Sequence, residues 1–139
     1  MATEADSTDE ALAGNLRRWW FASVQEISDI GLQRRTWLDR ENTNPHWSYI
    51  EFVCSFPADD QLEGVRAKGW LAEHEFRILN DLAHTLTAYG APRGNNYDQA
   101  AILDDPAWLV VVGEALRARQ ALLVTITDPN ERQMLLGVE

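Results

Sequence analysis

The spacing of its apolar residues constrains the fold of this chain more than any other feature. In three long stretches, leucine, isoleucine, valine and tryptophan recur every three or four residues, which is the period of an α-helix. Six of the 139 residues are tryptophan. Trp19, Trp20, Trp37 and Trp108 lie on these apolar stripes, and Trp47 lies on a shorter one. The pattern predicts an all-α fold, an irregular helical bundle of about five to six helices around a buried, tryptophan-rich core.

The N-terminal stretch predicts the longest helix. Residues 7–10 read Ser-Thr-Asp-Glu, the form of a capping box, so we expect the helix to begin there and residues 1–7 to be disordered. An apolar stripe about 140° wide then runs from Leu12 to Leu38. We therefore expect one helix that continues to about residue 39 and bends at Gly31.

The remaining helices are predicted from caps, prolines and glycines. They cover residues 45–56, 59–68, 72–89 and 106–126, and a short terminal helix follows Asp128-Pro129. Residues 90–98 form the clear loop between them. The apolar run 47–56 is short enough that a strand is the alternative. No interior boundary divides the chain, so a single domain over residues 1–139 is expected.

Neither the cysteine nor the histidines predict metal or redox chemistry. Cys54 is the sole cysteine and has apolar neighbours, so we expect a small buried side chain. His74 and His84 are about 15 Å apart along one predicted helix, which is too far to bind the same ion. Phosphate-loop, nucleophile-elbow and zinc-protease motifs are absent from the sequence. We expect no cofactor, no metal, and a binding protein more readily than an enzyme.

The charge of the chain disfavours nucleic acid as a partner. There are 22 acidic residues against 12 basic ones, a net charge of −10, and even the arginine-rich residues 1–41 hold eight acids. An acidic surface suits a basic protein partner. The candidate partner-binding residues are Asp59, Asp60, Glu63, Asp104 and Asp105. The alternative is that these carboxylates serve only as helix-start chemistry.

A second set of candidates consists of charges that fall on apolar stripes. Arg34 and Arg119 lie on the stripes of the first helix and of the 106–126 helix, and Glu51 lies near Trp47. A buried charge costs several kcal/mol unless it is paired, so these groups either pair internally or line a cleft. In the second case the ligand site would hold Arg34, Glu51, Arg119, Trp37, Trp47 and Trp108.

Three functions remain open from the sequence. The first is a small acidic intracellular binding protein, in its most concrete form an inhibitor of the immunity or antitoxin kind. The second is a small-molecule binder or enzyme with the tryptophan-lined cleft just described. The third is a homodimeric scaffold that uses the 106–126 helix, which is apolar on two sides. No apolar run is long enough to cross a membrane, so a cytoplasmic location is expected.

Overall fold

The structure is a computed structural model that describes residues 4–137, and the regular structure in that range is entirely helical. This confirms the predicted all-α fold. Eight α-helices follow one another: α1 (Glu4–Ser28), α2 (Ile30–Trp37), α3 (Tyr49–Ser55), α4 (Asp59–Ala67), α5 (Glu73–Ala88), α6 (Gln99–Leu103), α7 (Pro106–Thr125) and α8 (Pro129–Leu136). A 3-10 turn at Pro92–Gly94 lies in the loop before α6. The count exceeds the prediction because the first predicted helix is two helices, and because the five-residue α6 is too short to show periodicity.

The N-terminal helix differs from the prediction at both ends. It begins at Glu4, so the Ser-Thr-Asp-Glu segment lies inside the helix rather than at its start. Of the residues expected to be disordered, 1–3 lie outside the described range and 4–7 belong to α1. The chain then breaks at Asp29 instead of bending at Gly31. Asp29 leaves helical geometry, and its carboxylate accepts the Leu32 N–H at 2.9 Å, which starts α2 afresh.

The helix predicted to begin at Asn44-Pro45 corresponds to α3, and its predicted start is also wrong. The Asn44 side chain accepts the His46 N–H at 3.0 Å, which holds this segment in turns, and α3 begins only at Tyr49 with Ser48 as its N-cap. The helix is not buried all round, because Tyr49 and Phe52 are buried whereas Cys54 is exposed. Cys54 lies about 200° around the helix from Phe52 and therefore faces away from the core.

Helices α4, α5, α7 and α8 agree with the prediction to within a residue or two. Asp105 precedes Pro106 and its carboxylate accepts the Ala107 N–H at 3.0 Å, as expected for the start of α7. Asp128 and Pro129 start α8 in the same way. None of the helices within residues 4–137 is both long enough and apolar enough to cross a bilayer.

The buried apolar side chains form one continuous cluster, in which α1 packs against α7 and α8, and α5 packs against α7 and α4. Part of this core is aromatic, with ring centroids 5.1–6.3 Å apart and many edge-to-face contacts: Trp37, Tyr49, Phe52, Tyr89 and Trp108. The prediction of a tryptophan-rich core is confirmed. One tryptophan departs from it, because Trp19 is 59% exposed and lies at the edge of the α1 stripe, next to the fully covered Trp20.

Candidate functional site

The two predicted acidic groups lie at the same end of the bundle. The Asp59 Oδ2 atom, at the start of α4, is 2.7 Å from Nε2 of His84 in the last turns of α5. The Tyr89 hydroxyl, just after α5, donates to Oδ2 of Asp105 at 2.9 Å, and Asp105 precedes α7. His84 and Tyr89 are five residues apart, so the starts of α4 and α7 both lie beside the final turns of α5. We call Asp59, Asp60, Asp104 and Asp105 the acidic end.

The carboxylates of the acidic end differ in how far they are engaged. Asp105 is fully used, since Oδ1 caps α7 and Oδ2 accepts from Tyr89. Asp59 faces His84, whereas Asp60 accepts only the adjacent Gln61 N–H at 3.0 Å. Asp104 lies 3.6 Å from an Arg34 nitrogen, and its side chain is 77% exposed. Asp60 and Asp104 therefore present the most accessible negative charge.

Glu63, predicted as part of the same group, is engaged elsewhere. It lies on the turn of α4 that follows Asp59 and accepts a hydrogen bond from Arg66 Nη2 at 2.7 Å. Arg66 also contacts Glu73 at the start of α5, at 3.3 Å. The charge of Glu63 is therefore balanced by Arg66 on the same helix, and we do not count Glu63 in the acidic end.

The tyrosines near the acidic end remain protonated at neutral pH. Burial, together with the hydrogen bond to the Asp105 carboxylate, raises the pKa of Tyr89 above the ordinary value of 10.0. Burial also raises the pKa of Tyr49. Both phenols are thus neutral groups, and the Tyr89 hydroxyl holds Asp105 in place.

The predicted tryptophan-lined cleft is not assembled by this fold. Arg34 donates to the Leu103 carbonyl at 3.2 Å just before α7, whereas Arg119 donates to the Leu135 carbonyl at 2.5 Å near the end of α8. Arg34 therefore lies beside the start of α7, next to Asp104, whereas Arg119 lies in the last two turns of α7. These positions are about 20 Å apart along the helix axis, so the arginines cannot clamp one small anion. Each guanidinium instead binds the carbonyl of a neighbouring helix end.

The three tryptophans of that set, Trp37, Trp47 and Trp108, are core or core-edge residues. Trp37 and Trp108 are 5% and 0% exposed, and their ring centroids lie 5.9 Å apart. Trp47 packs on Phe52 at 6.1 Å. Glu51 is exposed and borders a separate surface groove of about 390 Å³ lined by Pro45, Ser48, Ile50, Asn96, Tyr97 and Gln99. The indoles of Trp37 and Trp108 therefore offer no face to a ligand.

The break at Asp29 explains why Arg34 is not buried. A continuous helix would place Arg34 at the centre of the apolar stripe, but restarting the helix at Ile30 turns Gln33 inward instead. Gln33 is 0% exposed, whereas the Arg34 side chain is 47% exposed. Gln33 Nε2 donates to the carbonyls of Glu26 and Ile27 at 2.9 and 3.0 Å, and its Oε1 accepts the Trp108 indole N–H at 2.9 Å.

A buried ion cluster that the sequence reasoning missed connects three helices. Arg17 of α1 donates to Glu75 of α5 at 2.7 and 2.9 Å and to Glu131 of α8 at 2.8 and 3.0 Å. With a further bond to the Trp70 carbonyl at 3.0 Å, all five guanidinium N–H donors are used. The available signal was the spacing of Arg17, which lies four residues before the buried Phe21 and so faces the core.

Burial and pairing act in opposite directions on this cluster. Burial raises the pKa of Glu75, but the hydrogen bonds from Arg17 and from the Ala72 N–H, with the Arg17 charge, outweigh it and leave the pKa below the ordinary value of 4.5. Hydrogen bonds to Glu75 and Glu131 raise the pKa of Arg17. These shifts keep Arg17 and Glu75 charged at neutral pH, so the cluster is an internal tie between helices and not a proton-transfer site.

The described residues contain no cluster suited to bind a metal ion. Between residues 4 and 137, no group of three or more histidine, cysteine, aspartate or glutamate side chains is arranged to hold a metal ion. The candidate site is the acidic end, where Asp60 and Asp104 are exposed. Comparisons with protein-family models, with curated proteins and with solved structures find no match to this chain.

Proposed function

We propose that this protein is a small acidic binding protein that recognises a basic protein partner through its acidic end, as an inhibitor of the immunity or antitoxin kind does. The observation that carries the proposal is the position of Asp59, Asp60, Asp104 and Asp105 on two helix starts at one end of the bundle. Two of these, Asp60 and Asp104, are exposed and only lightly engaged.

The electrostatics of the whole chain support this proposal. A net charge of −10 attracts a cationic partner over a distance comparable to the Debye length, about 8 Å at physiological ionic strength. The Asp105 cap orders the turn at the start of α7, so the adjacent Asp104 is presented from a fixed backbone. Charged rims of this kind act mainly on the association rate and on the choice of partner.

The test compares two variants that each remove two negative charges. Asp60→Asn with Asp104→Asn alters the acidic end and leaves the Asp105 cap intact, whereas Asp9→Asn with Glu10→Gln alters the exposed start of α1. Wild type and both variants are immobilised and used to capture proteins from cells of the source organism, and captured proteins are identified by mass spectrometry. We expect a protein of high isoelectric point, bound one to one.

Association rates measured with the purified partner then test whether the acidic end is the binding surface. We expect the acidic-end variant to slow association by about tenfold or more, and the α1 variant to have a much smaller effect. The association rate of wild type should fall steeply between low and physiological salt. A neutral or acidic partner, equal effects of the two variants, or a rate independent of salt would each contradict the proposal.

A further inference from the structure

The outer face of α7 carries a second stripe, which the packing of the single chain does not use. Its members are spaced three and four residues apart in alternation, as in the contact positions of a coiled coil: Ala107, Val110, Glu114, Arg117, Ala121 and Val124. We call these six residues the α7 seam. Val110 is 61% exposed and Val124 is 82% exposed, although the opposite face of α7 is fully buried. Two exposed valines on one stripe of a single helix are apolar surface that a second helix can cover.

The seam is symmetric about the point between Ala115 and Leu116, which is the midpoint of α7. Positions equally far from that point form three pairs: Ala107 with Val124, Val110 with Ala121, and Glu114 with Arg117. If a second copy of α7 lies antiparallel across a two-fold axis at the midpoint, each seam residue faces its pair. Every valine then meets an alanine, and every Glu114 meets an Arg117 of the second copy.

The charges in the seam select this arrangement over a parallel one. If the two α7 helices ran parallel, Glu114 would face Glu114 of the second copy and Arg117 would face Arg117. Both contacts are repulsive. In the single chain Glu114 and Arg117 hydrogen-bond to each other on an exposed surface. Exposed pairs of this kind contribute little, so exchanging partners across a two-fold axis costs little.

A groove beside the seam provides space for a side chain of the second copy. It has a volume of about 200 Å³ and lies between α5 and α7, and its lining combines apolar residues, among them Ile78, Leu82 and Ala121, with polar ones, among them Asp81 and Thr85. Ala121 is also the seam residue that faces Val110 of the second copy. The valine that is exposed in the single chain therefore lies at the mouth of this groove in the pair.

We propose that two copies of this chain form a homodimer in which the α7 seams pack antiparallel across a two-fold axis between Ala115 and Leu116. The proposal is independent of the acidic end, and the two differ in their response to salt. The seam has no net charge, while each copy as a whole carries −10. Added salt screens the repulsion between copies and should strengthen the dimer, whereas it should weaken attraction to a basic partner.

Charge reversal in the seam gives the sharpest test. Sedimentation equilibrium of wild type is expected to give a mass of twice 15.8 kDa at high protein concentration, with dissociation on dilution. Glu114→Arg and Arg117→Glu each place like charges across the axis and should weaken the dimer by about tenfold or more. The double variant Glu114→Arg with Arg117→Glu recreates both pairs in reverse and should restore it.

Arg40→Glu, a reversal of an exposed arginine outside α7, serves as the matched control and should leave the dimer unchanged. Circular dichroism confirms that each variant is folded, which is expected because both seam charges are exposed. A wild type that stays monomeric at all concentrations would overturn the proposal. Single variants that still dimerise would also overturn it, and so would a double variant that stays monomeric while both single variants are folded monomers.

Discussion

Gln33 shows how one side chain holds together the region where α1 ends and α2 begins. A buried amide is costly unless its donors and its acceptor are all engaged, and here each has a protein partner. Two bonds go to carbonyls at the end of α1, namely that of Ile27 and that of Glu26, which also accepts the Asp29 N–H at 3.3 Å. The third ties α2 to Trp108 of α7. A polar residue at the centre of the core is thus what makes the break at Asp29 tolerable.

Replacing Gln33 tests this account. Gln33→Leu keeps the volume but leaves the buried Trp108 N–H and the Ile27 carbonyl without their Gln33 partner, so we expect the free energy of unfolding to fall by about 2–3 kcal/mol. Gln133→Leu is the matched control, because Gln133 is exposed on α8, and its effect should stay within about 0.5 kcal/mol. Urea unfolding followed by tryptophan fluorescence measures both. Equal effects of the two substitutions would refute the role of Gln33.

At the scale of the elements, Arg17 joins α1 to the starts of α5 and α8. Glu75 also accepts the Ala72 N–H at 2.8 Å, so the same carboxylate caps α5 and binds the guanidinium. The Arg17, Glu75 and Glu131 side chains are only 18%, 8% and 11% exposed. The cluster sets the relative positions of three helices, and its removal would leave two carboxylates buried without a cation.

The stability of the Arg17 cluster should depend on pH in a defined direction. Because the pKa of Glu75 is lowered in the folded state, its contribution is present above about pH 4.5 and is lost as the pH falls through the folded value. In Arg17→Met, burial acts on the carboxylate without the compensating cation, so its pKa should rise. We expect a loss of about 3–5 kcal/mol at pH 7 that shrinks toward pH 4, as protonation relieves the buried charge.

Arg18→Met provides the comparison for this experiment. Arg18 is adjacent in sequence but contacts only the Asn15 side chain on the outer side of α1, and this contact is exposed. Its replacement should change stability by less than about 0.5 kcal/mol at every pH. Denaturant unfolding at pH 7, 5.5 and 4 gives both profiles. A penalty for Arg17→Met that does not change with pH would show that the carboxylates are not the cause.

For the whole molecule, the surplus of negative charge opposes the compact state. The chain carries −10 at pH 7, and the largely buried Arg17 is shared between two carboxylates. Exposed ion pairs such as Arg66 with Glu63 contribute little to offset this repulsion. Stability at neutral pH should therefore improve when mobile ions screen the surface.

Thermal unfolding in sodium chloride measures that repulsion. Raising the salt from about 10 mM to 200 mM at pH 7 should increase Tm by about 3 °C, corresponding to a gain on the order of 1 kcal/mol. The same titration near pH 4.6, where the net charge approaches zero, is the control and should give almost no change. Dilute protein keeps any self-association out of the result. A Tm that falls with salt at pH 7 would mean that attractive pairs outweigh the repulsion.

The sequence by itself determined the fold class and those helices whose ends depend on residues nearby in the sequence. The Asp105-Pro106 and Asp128-Pro129 starts, and the buried stripe of α7, depend on neighbours within a few residues, which is why they agree with the structure. The acidic residues of the candidate site were also identifiable, since charge is a property of composition. Their gathering at one end of the bundle was not.

Only the tertiary structure decided which side chains meet. Asp29 ends α1 because Gln33 can satisfy the freed carbonyls and bind Trp108, a partner 75 residues away that no local pattern shows. That break turned Arg34 outward. Cys54 is exposed for a similar reason, since core contacts cover only one side of the short α3. Periodicity specifies a face of a helix, but the packing of the other helices determines which part of that face is covered.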